Sequence, residues 1–266
     1  MFNYFTHAIV LIFIGYASTY PFFFWITPLN KIDQGFYRFN LGKCCVVGSL
    51  GVIAYYFILP YDNTQLTAII WLSMLTIITA FYWNSKKINN GIISFISALG
   101  CYSLIGIIQQ FLDSGAQFSA PFSVLLGSAI TAGVFFSMIL GHWYLNVVSL
   151  PISLLKNSVM ILWIALIVRT LFDISYLALA QHVDSYGIEK NLWQFLFEFD
   201  GLLLLVAFFM GNMFPVIINY FVWKTLKLQA TQSATGLLYV SIVSVLFGED
   251  RKSTRLNSSH QIISYA

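Results

Sequence analysis

The sequence predicts an all-α fold: a polytopic transmembrane helix bundle of about eight helices. Three observations carry this. Hydrophobic residues make up 59% of the 266 residues and charged residues only 9%, where a soluble domain carries roughly 25% charged. Mean hydropathy is +0.80, so the surface suits lipid rather than water. The apolar residues also gather into runs long enough to cross a bilayer, which takes roughly 20 residues per helix.

Seven runs reach that length, at about 6–27, 41–59, 66–84, 92–112, 122–147, 158–181 and 193–223. An eighth starts at Gly236 and stops at Gly248, too short to span. The opening MFNYFTH has no basic stretch, so the first run reads as a retained helix rather than a cleaved leader. The connections TPLNK, PYDNTQ, NSKKINNG, LDSGAQ and PISLLKN are rich in turn formers. No internal repeat is visible. Gly127 and Gly133, with Ser128, Ala129 and Ala132, form a small-residue face in the fifth run that favours close helix packing.

Charge sets the orientation. The connections after the first, third, fifth and seventh runs carry Lys31, Arg38, Lys43, Lys86, Lys87, Lys156, Lys224 and Lys227 against the single acid Asp33. The other connections carry Asp62, Asp113, Asp184 and Glu189 with one base, Lys190. Basic loops stay in the cytoplasm, so the N-terminus is expected outside. The setting is that of a bacterial inner-membrane protein.

Residues 1–249 read as a single integral membrane domain. From Asp250 the text turns abruptly polar, DRKSTRLNSSHQIISYA. It resembles translated read-through of a sequencing adapter, so 250–266 is expected to be a non-native tail. The formal charge of +3 is too small to point to nucleic acid. Cys44, Cys45 and Cys101 lie in apolar runs with no metal-binding spacing and read as small buried side chains. No Walker A motif, HExxH or Gly-rich dinucleotide loop is present. The seventh run has no mid-membrane lysine for a retinal Schiff base.

Arg169, Asp173, Glu198 and Asp200 lie inside or at the margins of apolar runs. A charge at bilayer depth is costly and marks a functional site by default. Arg169 and Asp173 are four residues apart and share a helical face. Antiparallel neighbours joined by a short connection would bring all four into one outer-half polar layer, either a salt-bridge network or a proton path. Carboxylates in such a place resist ionisation unless a cation pairs with them.

His142, in GHWYLN near the inner end of the fifth run, has three open readings: an interfacial anchor beside Trp143 and Tyr144, a haem ligand, or a quinone hydrogen-bond donor. A haem b held by two histidines needs both at one depth. His7 and His182 lie at the outer ends of their runs, which argues against a haem bridging His142. Asn3 and His7, four apart near the outer surface, offer donors for the carbonyls of a quinone headgroup.

One stretch carries a family resemblance: YFVWKTLKLQATQSATGLLYVSIVSVLFGE. It resembles the membrane-anchor subunits of the DMSO reductase and polysulfide reductase type. That resemblance implies eight helices with both termini outside, quinone as cofactor, and an iron–sulfur or other redox partner subunit that receives electrons. Asn3 and His7 resemble quinone-site residues of the polysulfide reductase anchor in spacing and depth. The chain would then be at most a non-catalytic or quinol-oxidising membrane subunit of an oxidoreductase, with the four charged residues handling protons. The rival reading is a proton-coupled small-solute transporter or channel using that same layer. A discontinuous helix would favour it, and Gly211 and Pro215 in the seventh run are the candidate break.

Overall fold

A computed structural model describes residues 2–58, 62–85, 87–111, 119–147, 150–179, 181–183, 189–197, 202, 205–206 and 208–263. Asp33 sets the start of the second span. Its carboxylate accepts the Gly35 N–H at 3.0 Å, the work of a helix N-cap. Helix α2 therefore runs Gln34–Ile58, several residues ahead of the hydropathy boundary at 41. Its first turns are polar but paired, Arg38 Nη2 donating to Gln34 Oε1 at 3.1 Å. Arg38 and Lys43, counted above as loop bases, thus stand on a helix.

Before it, α1 (Phe2–Thr19) tightens into a 3-10 turn over Tyr20–Trp25. Pro21, which has no N–H to continue the α ladder, lies at its start. Helices α3 (Asn63–Tyr82), α4 (Asn90–Phe111), α5 (Ser119–Asn146) and α6 (Ser153–Leu179) follow. After α6 comes a short antiparallel ladder of β1 (Gln181–Val183) and β2 (Glu189–Asn191), with His182 opposite Lys190.

The seventh run is not one continuous helix. It comprises a single turn, α7 (Leu192–Phe195), then helical positions among 202–208, a π-turn at Phe209–Met213, and α8 (Phe214–Lys227). A tight turn follows. Gln229 takes the left-handed conformation (φ 58°), and the Ala230 N–H reaches back to Thr225 O at 3.1 Å, closing α8 in the Schellman manner. This lets α9 (Thr231–Ile263) begin five residues before the Gly236 read from hydropathy. The eighth run is therefore long enough after all: Thr231–Gly248 joins α1–α6 to give seven helices, among the described residues, long and apolar enough to cross a membrane.

Hydrogen bonds mark two ends of the bundle. At one, Gln34 Nε2 donates to Ser85 O and the Phe36 and Trp143 rings meet edge-on at 5.5 Å, joining the connections after the first, third and fifth spans. At the other, Asp62 accepts from Thr64 Oγ1 at 2.9 Å and from Gln110 Nε2, and Gln110 Oε1 accepts from Tyr55. The odd-numbered connections thus share the end that the lysines favour.

Helix α1 is the hub, packed by α2, α4, α5 and α9. Lipid tails are as apolar as leucine, so helices in a bilayer associate through close packing and interhelical hydrogen bonds. Gly15 shows why a small residue is needed: a Cβ there would fall 2.0 Å from Ser128 Oγ of α5. One turn on, Thr19 Oγ1 donates to Ser128 O at 3.1 Å. The small-residue face expected in α5 is thus the seat of α1. The aromatic core gathers around Phe136, whose ring meets those of Tyr20, Phe23 and Phe36 at 5.5–5.7 Å.

Candidate functional site

Arg169 is 1% exposed, two-thirds of the way along α6. The i,i+4 spacing does what the sequence promised: Nε meets Asp173 Oδ2 at 3.1 Å. The guanidinium is also fixed from α5, where Nη1 donates to the Ser123 carbonyl. Asp173 Oδ2 in turn accepts from Asn212 Nδ2 of the seventh run at 2.7 Å. Helices α5 and α6 and the π-turn of the seventh run thus converge on one carboxylate and one guanidinium. The expectation that the sixth and seventh runs are neighbours holds at this link.

Asn212 lies in the π-turn, and that turn has a local cause. The Phe214 N–H bonds to Phe209 O, five residues back. The Met210 carbonyl thereby loses its usual donor. The next candidate along the chain is Pro215, which has no N–H. Left alone, a buried carbonyl would stand unpaired at bilayer depth. Ser244 of α9 supplies the missing donor, its Oγ bonding to Met210 O. The backbones come close enough because both facing residues are glycines: a Cβ on Gly248 would fall 2.2 Å from Gly211 Cα. Residues 208–227 stay helical through the π-turn, so Gly211 and Pro215 mark a bulge rather than the expected break, and α9 braces it.

Asn212, Ser123 and Ser244 escaped the sequence reading. An asparagine in the middle of an apolar run, next to a Gly and three residues before a Pro, was the signal available for the first. Ser123 acts through its carbonyl, and no side-chain pattern could announce it. Glu198 and Asp200 lie outside the described residues.

No protein-family model, curated protein or solved structure matches this chain.

The other candidates fall elsewhere. His7 stacks on Phe111 of α4, ring centroids 4.2 Å apart and 28° between planes. Its ring thus packs on α4, while the described partners of Arg169 lie in α5 and α6. Asn3 stands one turn before His7 on α1, its side chain outside the described set. His142 is exposed on α5. Its neighbours anchor the helix end, Trp143 against Phe36 and the Tyr144 hydroxyl on Pro151 O. The cysteines are free thiols, Cys44 buried and Cys45 bonded to Thr79 Oγ1 at 3.3 Å. Among the described residues no group of three His, Cys, Asp or Glu is placed to hold a metal.

Proposed function

We propose that the chain is a proton-coupled carrier of a small anionic solute, working at Arg169, Asp173 and Asn212. The observation that carries this reading is the shared Asp173 Oδ2, held at once by Arg169 Nε and by Asn212 Nδ2 at the π-turn of the seventh run. π-turns occur often at functional positions.

The chemistry follows from charge balance. With Asp173 ionised, its carboxylate is a counter-ion of Arg169. Protonation of Asp173 withdraws that carboxylate charge from the guanidinium and lets an incoming anion compete for its Nε–H. A solute carboxylate or phosphate then takes the vacated place, and the planar fork of Arg suits either. A monoanion that enters with the proton restores the negative charge that Asp173 gives up. Asn212 follows the exchange because its amide bonds either carboxylate.

Proteoliposomes with an interior pH dye test this. A panel of small carboxylates and inorganic phosphate is added outside, and one of them should drive proton uptake. D173N, permanently neutral, should still take the anion but carry no proton with it. Proton uptake by D173N equal to that of the parent chain would sink the reading.

A second reading, the quinol-interacting subunit of a redox complex, draws support from a different place. An apolar groove of about 300 Å³, lined by residues including Val52, Tyr55, Tyr56, Phe57 and Ile69, opens between α2 and α3. Its Tyr55 meets Phe111 edge-on at 6.2 Å, and Phe111 carries the His7 ring. The groove suits an isoprenoid tail and His7 a headgroup carbonyl, with the partner subunit then docking at that end. Fluorescence quenching by a quinol analogue, lost in H7A and N3A, is the expected result. Unchanged quenching in both variants would remove it.

A further inference from the structure

Helix α2 shows lipid one face. Phe39, Val46, Leu50, Ile53 and Phe57, spaced by the four-three alternation of a single helical stripe, are each more than half exposed or at half. The position between Phe39 and Val46 in that stripe is Lys43. Lys43 is half-buried at that place, its ammonium turned off the row toward the buried Tyr20 and Asn40.

Its depth is fixed by a neighbour. Trp83, half exposed at the end of α3, lies beside Gly42, 3.7 Å from where a Cβ would be. Exposed tryptophans mark the headgroup level of a bilayer. Lys43 is thus at the boundary of hydrocarbon and headgroups, at the bundle end where Gln34 and Ser85 join the basic connections. Side chains of a helix lean toward its N-terminus, and the ammonium accordingly lies back over Phe39 and Asn40 at that level.

The ammonium is held but not neutralised. Nζ lies 4.0 Å from the Tyr20 ring centroid, 5.4 Å from that of Tyr16 and 6.0 Å from that of Phe39. These ring faces attract a cation. Nζ also donates to Asn40 Oδ1 at 3.2 Å. Asn40 is itself fully buried and fixed by Phe36 O at 2.8 Å and by the Tyr20 hydroxyl. Among the described residues no carboxylate forms an ion pair with Lys43. An ammonium has three N–H donors, and one is used within the protein.

We propose that Lys43 is the headgroup contact of an anionic-phospholipid site. Its free N–H donors take a phosphate oxygen while an acyl chain lies along Phe39, Val46 and Leu50. The aromatic cage supplies position, the lipid supplies the counter-charge, and the apolar stripe supplies the length of contact that a free phosphate ion lacks.

The test uses the purified full-length chain in a neutral detergent. Thermal unfolding is followed with added phosphatidylglycerol, phosphatidylcholine, or inorganic phosphate at matched concentration. Phosphatidylglycerol should raise the midpoint; the other two should not. K43Q should lose that rise, K43R should keep most of it, and K87Q, a charge change in a loop at the same end, should leave it intact. An equal rise in K43Q, or an equal loss in K87Q, overturns the site in favour of diffuse surface charge. A rise with inorganic phosphate alone overturns the lipid assignment. Should K43Q fail to fold, a photoactivatable phosphatidylglycerol labels the parent chain. Adducts within residues 39–46 support the site, and adducts only elsewhere refute it.

Discussion

The Asn212 amide donates to Asp173 Oδ2 at 2.7 Å, tying the π-turn of the seventh run to the buried ion pair of α6. The arrangement makes Arg169 hard to remove. Taking away one partner of a buried pair leaves the other uncompensated, at about 3–5 kcal/mol. R169A should therefore lower the unfolding midpoint of the detergent-solubilised chain steeply. D173N should be milder, because an amide oxygen still accepts from both donors. R169K should fall between them, since an ammonium cannot serve Asp173 and Ser123 in the fork geometry of a guanidinium. A midpoint for R169A no lower than that for D173N would mean that the pair does not hold these elements.

The π-turn gives a second prediction. Ser244 satisfies a Met210 carbonyl that neither Phe214 nor Pro215 bonds. S244A should cost about 1–3 kcal/mol, the usual penalty for orphaning a buried acceptor. G248A should cost a similar amount through overpacking, about 1–3 kcal/mol, because its Cβ would meet Gly211 backbone. Both changes act on one contact, so the double variant should lose less than the sum of the two. Simple additivity in the melting experiment would show that Ser244 and Gly248 act separately.

How much of this was readable beforehand differs by element. The six spans from α1 to α6 follow from apolar run length because lipid demands it of any spanning helix. The start of α2 did not, since Asp33 and the Gln34–Arg38 pair make its first turns polar while still helical. The start of α9 was hidden for a like reason: Thr231 to Thr235 is polar, and a non-glycine residue, Gln229, closes the preceding turn. In the site, Arg169 with Asp173 was legible because four-residue spacing is a property of the helix itself. Asn212 joins them through a register set by the π-turn, which depends on α9. A contact made by three elements has no signature in any one of them.

The polar clasp at the end of the bundle opposite the basic connections should respond to acid. The backbone N–H of Asn63, followed by the Thr64 hydroxyl, holds the Asp62 carboxyl below its ordinary range. A depressed value in the folded state means that stability from this group is present above the unfolded carboxylate pKa. It is lost as pH falls through the lower, folded value. Hydrogen-exchange protection at the first turn of α3, relative to the intrinsic rate at each pH, should therefore fall below the normal carboxylate range and be full at neutral pH. D62N should flatten that dependence while leaving exchange in α6 alone. An acid response unchanged in D62N would assign it to another group.

The seat of α1 on α5 allows a test by exchange of volume. A Cβ at Gly15 would lie 2.0 Å from Ser128 Oγ and 2.9 Å from Ser128 Cβ. G15A should thus destabilise by about 1–3 kcal/mol, the range for overpacking a tight contact. The obstruction is a side chain rather than backbone, so it can be removed. S128G deletes both offending atoms but keeps the Ser128 carbonyl that Thr19 uses. G15A with S128G should accordingly recover much of the midpoint lost by G15A alone, although S128G by itself weakens the helix slightly. The comparison separates packing from propensity: alanine is the better helix former, so any loss in G15A is steric. If G15A raises the midpoint instead, α1 and α5 do not meet at this crossing.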